Sequence, residues 1–190
     1  ARRAERRAAW PRPETIGGPV PTLVGMTTRP HPRAGSIEER LADPRLAAVD
    51  LLLETAGGLS AKLDAETAQH GLAPAEFDVL LHLARADGQA MRMTDLAAQT
   101  LLTTSGITRV VDRLERDGLV ERRACPTDRR GAFAVITPDG LNRLDAALPA
   151  YLELAEKWLT SRLSAADLET LLRHLRTIRD GVRPDAAANA

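Results

Sequence analysis

Thr103, Thr104, Ser105, Thr108 and Arg109 place four hydroxyls and one guanidinium within seven residues. Hydroxyls on short side chains bond phosphate oxygens or base edges, and an arginine takes a guanine through two parallel bonds. A little further on, Arg122, Arg123, Arg129 and Arg130 surround a single acid, Asp128, so residues 122–130 carry a local charge of +3. Charge of that kind suits a phosphate backbone. The chain as a whole has 26 basic and 26 acidic residues and a formal net charge of zero. That balance argues against a protein held to nucleic acid by bulk charge, but not against a local basic grip.

The other reactive side chains are scattered. The four histidines, His31, His70, His82 and His174, lie in four separate regions. None has a partner at metal-ligand spacing. There is no glycine-rich phosphate loop and no serine elbow. No metal, cofactor or enzymatic activity is expected. Asp78 and His82 stand four residues apart and share a face if helical. They read as a local ion pair or as one wall of a small-ligand pocket. Cys125 is the one cysteine, which excludes an internal disulfide. Arginines nearby favour its thiolate. A redox-responsive thiol therefore stands beside the simpler reading of an inert one.

Positioning these groups takes a helix and a hairpin. Ile107, Val110, Val111 and Leu114 recur at i, i+3, i+4 and i+7, the apolar stripe of a helix. Thr103 is its cap and Gly118 its stop. Thr104, Ser105, Thr108, Arg109 and Asp112 then take the outer face, as in a helix that points its N-terminus into a major groove. Taken alone, that helix reads equally as an amphipathic helix with a solvated outer face. A shorter helix before it should start at Thr94 as cap, with Met93 stapled from outside. Runs 119–124 and 132–137 are β-prone, and Cys125-Pro-Thr-Asp-Arg-Arg-Gly between them is turn chemistry. Residues 89–92 are a candidate third strand. Two short helices followed by an arginine-tipped hairpin make a winged helix. Its hairpin lies over the backbone or reaches an adjacent minor groove.

The segment LTTSGITRVVDRLERDGLVERR, followed by DRR and ITPDG, resembles the MarR family of bacterial transcription regulators. The resemblance runs from about residue 46 to residue 181. It implies that residues 103–109 face the groove and that Arg130, beside Arg129, is the wing residue in the minor groove. It also implies that Asp128 holds the wing arginine and that Arg113 braces the helix to the wing. Members of the family dimerise, and their small, often aromatic or phenolic ligands bind between the dimer helices and the reader. Asp78 and His82 are the candidates for that pocket here.

The 190 residues suffice for one domain with tails. Residues 1–42 mix Arg, Pro and Gly and read as a disordered basic tail. Residues 43–183 form the domain, with 43–71 and 138–183 as dimerisation helices around a 74–137 DNA-binding lobe. Residues 184–190 fray. Hydrophobic residues make up 44% but aromatics only 3%, so the core is built of Leu, Ala and Val, which favours helices. Asp43-Pro44 and Thr137-Pro138 read as caps with proline in the first turn. Gly57-Gly58 should interrupt the first long helix and Gly71 end it. Pro74 starts another, with Phe77, Leu80, Leu81 and Ala84 inward. Leu141, Leu144, Leu148, Leu152, Ala155 and Leu159 line a helix kinked at Pro149. Ser164 caps the last helix, striped by Leu168, Leu171, Leu172, Leu175 and Ile178 and stopped at Gly181.

These helices carry more apolar surface than a winged helix needs, which predicts a symmetric homodimer. Two readers roughly 34 Å apart would suit double-stranded DNA with a pseudo-palindromic operator. No apolar run reaches membrane-span length, and no apolar core follows the Arg-rich start, so a cytoplasmic protein is expected. The predicted fold is mostly α with a small β-hairpin wing, a winged helix-turn-helix flanked by long dimerisation helices. The predicted function is a repressor released by a small-molecule effector. The competing reading is a winged helix that docks a protein instead, which would lack salt-dependent duplex binding.

Overall fold

A computed structural model describes residues 36–100, 102–125 and 128–183, leaving aside the side chains of 125 and 128–130. Residues 1–35 and 184–190, expected as tails, lie outside the described residues. The chain forms two units, 1–46 and 47–190.

In the first unit, Ser36 starts helix α1 (Ile37–Leu41). The Glu39 amide donates to Ser36 Oγ at 3.2 Å and the Ser36 amide donates to Glu39 Oε2 at 2.9 Å. Residues 36–42 therefore depart from the expected tail, because Ser-x-x-Glu supplies both halves of a capping box. Asp43 then accepts from the Arg45 amide at 2.9 Å, and Pro44 opens helix α2 (Pro44–Gln69).

Helix α2 runs through Gly57 and Gly58 without the expected break. Each glycine costs a helix about 1 kcal/mol, and the 26-residue helix absorbs that cost. Its end is a Schellman turn: Gly71 has φ +71°, the Leu72 amide reaches the Thr67 carbonyl (3.1 Å) and the Gly71 amide that of Ala68 (3.0 Å). The turn delivers Leu72 into the core.

Helix α3 (Pro74–Arg85) lies at the centre of the second unit and buries Phe77, Val79, Leu80 and Leu83. Leu81 and Ala84, expected inward, are only partly covered. One stripe is too narrow a description, since α3 meets α5 (Thr104–Arg116), α6 (Pro138–Trp158) and the sheet on different sides. The sheet comprises β1 (Ala90–Arg92), β2 (Val120–Cys125) and β3 (Asp128–Ile136), antiparallel in the order β1-β3-β2. Strand β3 starts at Asp128, earlier than the predicted 132, and the register shifts between Ala124 and Cys125.

Helix α4 (Met93–Gln99) follows β1 directly, so its cap is the extended Arg92, without a side-chain bond. Thr94 is thus inside the helix rather than its cap, and its hydroxyl turns to Asp95 Oδ1 at 3.2 Å. Helix α6 contains Pro149 and buries Gly140, Leu144 and Ala147, while Leu152 is exposed. Helix α7 (Ala165–Val182) is capped by Ser164, which accepts from the Asp167 amide at 3.2 Å. It passes Gly181 by one residue and buries none of its side chains.

The start of α6 is bolted to the end of α5. Thr137 Oγ1 accepts from the Gly140 amide at 3.0 Å and donates to the Gly118 carbonyl at 2.7 Å. A Cβ on Gly140 would stand 2.1 Å from the Leu119 carbonyl oxygen and 2.8 Å from Ile136 Cγ1. The backbones meet where only glycine fits. Gly140→Ala is therefore expected to lower unfolding free energy by about 2–3 kcal/mol, as overpacking does. Urea titration followed by circular dichroism checks this, and a midpoint equal to the parent's would refute the close approach.

Candidate nucleic-acid interface

Helix α5 presents two chemically different faces. Its inner face buries Ile107, Val110, Val111 and Leu114. Its outer face exposes Thr103, Thr104, Ser105, Thr108 and Arg109. The hydroxyls are not equivalent. Thr103 Oγ1 accepts from the Gly106 amide at 3.1 Å and sits 3.1 Å from Ser105 Oγ, so Thr103 is committed first to the cap. Thr108 donates to the Thr104 carbonyl at 2.8 Å and keeps its lone pairs outward. Arg109 forms no ion pair with any described residue. Helix α4 packs against α5 and buries Leu96. Between them, Thr100 is buried and donates to the Leu96 carbonyl at 2.7 Å.

The wing is held to this helix by Arg122. Its Nη1 donates to Glu115 Oε2 at 2.6 Å, its Nη2 reaches Asp112 Oδ1 at 2.6 Å and the Thr108 carbonyl at 3.3 Å. Its backbone amide donates to Glu115 Oε1 at 3.2 Å. One guanidinium thus fastens β2 to three positions of α5. By sequence, Arg122 belongs to the basic field of the wing. The signal available was Asp112 and Glu115, three apart on one helix, followed by an arginine just past a tight corner.

Among the described residues Arg113 meets no part of the wing. Its Nε donates to Glu76 Oε1 at 2.7 Å, tying α5 to the first turn of α3. That pairing spans 37 residues and has no local signature. Arg123 pairs with Glu121 on its own strand. Two of the four arginines expected to form the basic field are therefore neutralised at the base of the hairpin. Arg129 and Arg130 stand at the start of β3, at the hairpin's tip, with Asp128. Their side chains, and that of Cys125, lie outside the described residues, so the expectations for them rest on backbone position.

Asp78 and His82 do meet, with Oδ1 and Nε2 3.5 Å apart. Asp78 lines a groove of about 460 Å³ between α2, α3 and α6; His82 is not among its walls. Phe77 and Tyr151 stack in it with ring centroids 4.6 Å apart. Burial raises the Asp78 carboxyl above its ordinary 3.8, against the opposing pull of His82, Arg85 and Arg183. Burial also raises the Tyr151 phenol, with Asp78 adding to it. Among the described residues no group of three or more His, Cys, Asp or Glu is arranged to hold a metal, and no helix is long and apolar enough to cross a membrane.

A helix-turn-helix whose second helix shows hydroxyls and an arginine outward, with a three-stranded wing clamped beside it, is a winged helix-turn-helix of the kind that reads DNA. Residues 70–131 match the MarR family. The HTH-type transcriptional regulator MhqR of Bacillus subtilis is 36% identical over 110 residues, 58% of this chain and 74% of MhqR. The crystal structure of AbsC, a MarR family transcriptional regulator from Streptomyces coelicolor, superposes with a TM-score of 0.69 at 30% identity, covering 75% of this chain and 97% of AbsC. Sco3205, a MarR family regulator from the same organism solved in complex with DNA, gives 0.70 at 29% identity, covering 82% and 94%. The chain belongs to the MarR family of winged helix-turn-helix transcription regulators.

Two outcomes follow from this geometry. Arg122→Ala should cost about 1 kcal/mol of stability, as partly exposed ion pairs do, yet weaken duplex binding about tenfold by freeing the wing, whose phosphate contacts set register. Fluorescence anisotropy beside a melt separates the two, and unchanged anisotropy would remove the clamp's role. For Asp78 the sign is set by the raised carboxyl: the folded protein holds that proton more tightly than the unfolded chain. Ionised Asp78 therefore burdens the fold above its folded pKa, and the burden lifts as pH falls through that value. Asp78→Asn should melt above the parent at neutral pH, with the gap closing towards about pH 4. A gap constant with pH would contradict this.

Proposed function

We propose that the protein is a homodimeric, sequence-specific DNA-binding regulator acting as a repressor, released when a small aromatic effector enters the groove beside Asp78. The observation that carries this reading is the outer face of α5: exposed hydroxyls and an arginine that no described acid neutralises, on a helix whose other face is locked in the core. In this reading the N-terminal turn of α5 enters a major groove. Thr104, Ser105 and Thr108 bond phosphates or base edges, and Arg109 takes a base. Thr103 supports them through its cap and contributes its exposed edge. Arg129 and Arg130, at the hairpin tip, grip the neighbouring minor groove, with Asp128 holding the arginine in place. That Sco3205, a relative of the same fold, was solved in complex with DNA supports DNA binding here.

The dimer is supported by apolar side chains that the single chain leaves in water. Leu51, Leu52 and Leu53 of α2 and Leu172, Leu175, Ile178 and Val182 of α7 are exposed. A monomer rarely leaves that much large apolar surface uncovered. Pairing two copies through these helices would space the readers roughly one DNA turn apart. The groove supports the effector reading because it lies between α2, which helps form that apolar face, and α3, which packs on the reading helix. A ligand there bears on both.

Selection of bound duplexes from a random pool should return two inverted half-sites separated by about one helical turn. Arg109→Ala should lose about 1–3 kcal/mol and relax preference at one base pair, while Arg130→Ala should weaken all duplexes alike and reduce the salt slope by about one. Light scattering should give twice the chain mass at micromolar concentration. A chain that ignores every duplex at low salt, or remains monomeric, would overturn the proposal.

A further inference from the structure

The walls of the groove specify the charge of what it holds, a step that rests on the effector reading just given. Two carboxylates line it, Asp64 from α2 and Asp78 from α3, along with the stacked pair Phe77 and Tyr151 and the apolar Leu59 and Leu63. No lysine, arginine or histidine is among the lining residues. The nearby cations stand outside the lining, where His82, Arg85 and Arg183 act on Asp78 through space. Lys62 sits over the Trp158 ring at 4.2 Å, and the Arg183 guanidinium donates to the Ala98 carbonyl on α4. His82 meets Asp78 from one turn further along α3, at 3.5 Å. Asp64 accepts from Ser60 at 3.2 Å, a neutral donor that leaves its charge uncompensated within the groove.

We infer that the groove binds a small aromatic cation, its ammonium or amidinium head drawn to Asp64 and Asp78 and its ring laid against Phe77 and Tyr151. The volume of about 460 Å³ lies within the range of small-ligand sites. Aromatic faces attract cations as well as rings, so the head and the body of such a ligand are favoured by the same walls. An anionic aromatic would bring a third negative charge beside two carboxylates with no lining cation to meet it. Burial raises the Asp78 carboxyl despite the pull of His82, Arg85 and Arg183, so a ligand cation inside the groove adds to a compensation they leave incomplete. A bound cation favours the carboxylate further.

The test uses the full chain and three naphthalene probes of one size: naphthylmethylammonium, naphthalenemethanol and naphthoate. Isothermal titration should rank the ammonium tightest, at least about tenfold ahead of the alcohol, as expected for a hydrogen bond to a charged group, with naphthoate last. Asp64→Asn and Asp78→Asn should each weaken the ammonium by about tenfold while leaving the alcohol unchanged, which shows that the groove is intact. Alcohol or naphthoate binding as tightly as the ammonium, Asn variants that bind the ammonium like the parent, or no binding of any probe at millimolar concentration would each overturn the inference. Anisotropy with labelled duplex runs in parallel. If the ammonium binds through both aspartates yet leaves duplex affinity unaltered, the ligand class stands and the effector role falls.

Discussion

The reader and the rest of its lobe are joined at one corner, residues 117–119, and the geometry of that corner governs what the wing can do. Gly118 takes φ +74°, the Gly118 amide bonds the Glu115 carbonyl (3.0 Å) and the Leu119 amide that of Leu114 (2.8 Å). This is a Schellman turn, with Leu114 and Leu119 both buried as its apolar contact. It ends α5 and launches β2 in the space of three residues. The Thr137 amide and hydroxyl then close on the carbonyls of Leu119 and Gly118, and Gly140 packs against the same strand of backbone. One corner thus fixes the recognition helix, the wing and the start of α6 relative to each other. A shift there would move all three together.

Charge is arranged around that corner so that little of it is left loose. The chain is neutral overall, and the arginines nearest the core are paired: Arg113 with Glu76, Arg122 with Asp112 and Glu115, Arg123 with Glu121. These pairs are partly exposed and individually weak. Their value is positional, since a guanidinium has a planar fork that reads the angle between two elements. Arg109, which no described acid neutralises, lies on the outer face of the helix, and the backbone places Arg129 and Arg130 at the hairpin tip.

The long helices serve a different purpose from the reader. Helix α7 buries none of its side chains within the chain, and its stability as an isolated amphipathic helix would be slight. Its end is tied to the reader by Arg183, whose guanidinium donates to the Ala98 carbonyl at the end of α4. On the other side, Phe77 and Tyr151 join α3 to α6 within the groove. Together these contacts give the apolar helices a mechanical path to the helix-turn-helix.

Much of this was legible in the residues alone because it is local. Thr103, Thr137 and Ser164 cap helices through their own side chains, Gly71 and Gly118 end them, and the stripe of Ile107, Val110, Val111 and Leu114 sets which face of α5 is buried. Each depends on neighbours within a turn or two, and the motif around them carries the family. Most of the misses share one cause, the exception being residues 36–42, whose capping box is local. Thr94 lost its cap because β1 feeds straight into α4. Val79 and Leu83 are buried because three elements surround α3, and residues 36–42 fold because Glu39 answers Ser36. Arg122 took the bracing role expected of Arg113, and Arg113 turned to Glu76, because the choice of acid for each arginine is made around a corner in one case and across 37 residues in the other. Local hydrogen bonds and periodicity determined the elements and their buried faces. Only the packed structure decided which charges meet and which are left for a partner, because an arginine's reach exceeds the spacing of the acids available to it along the chain.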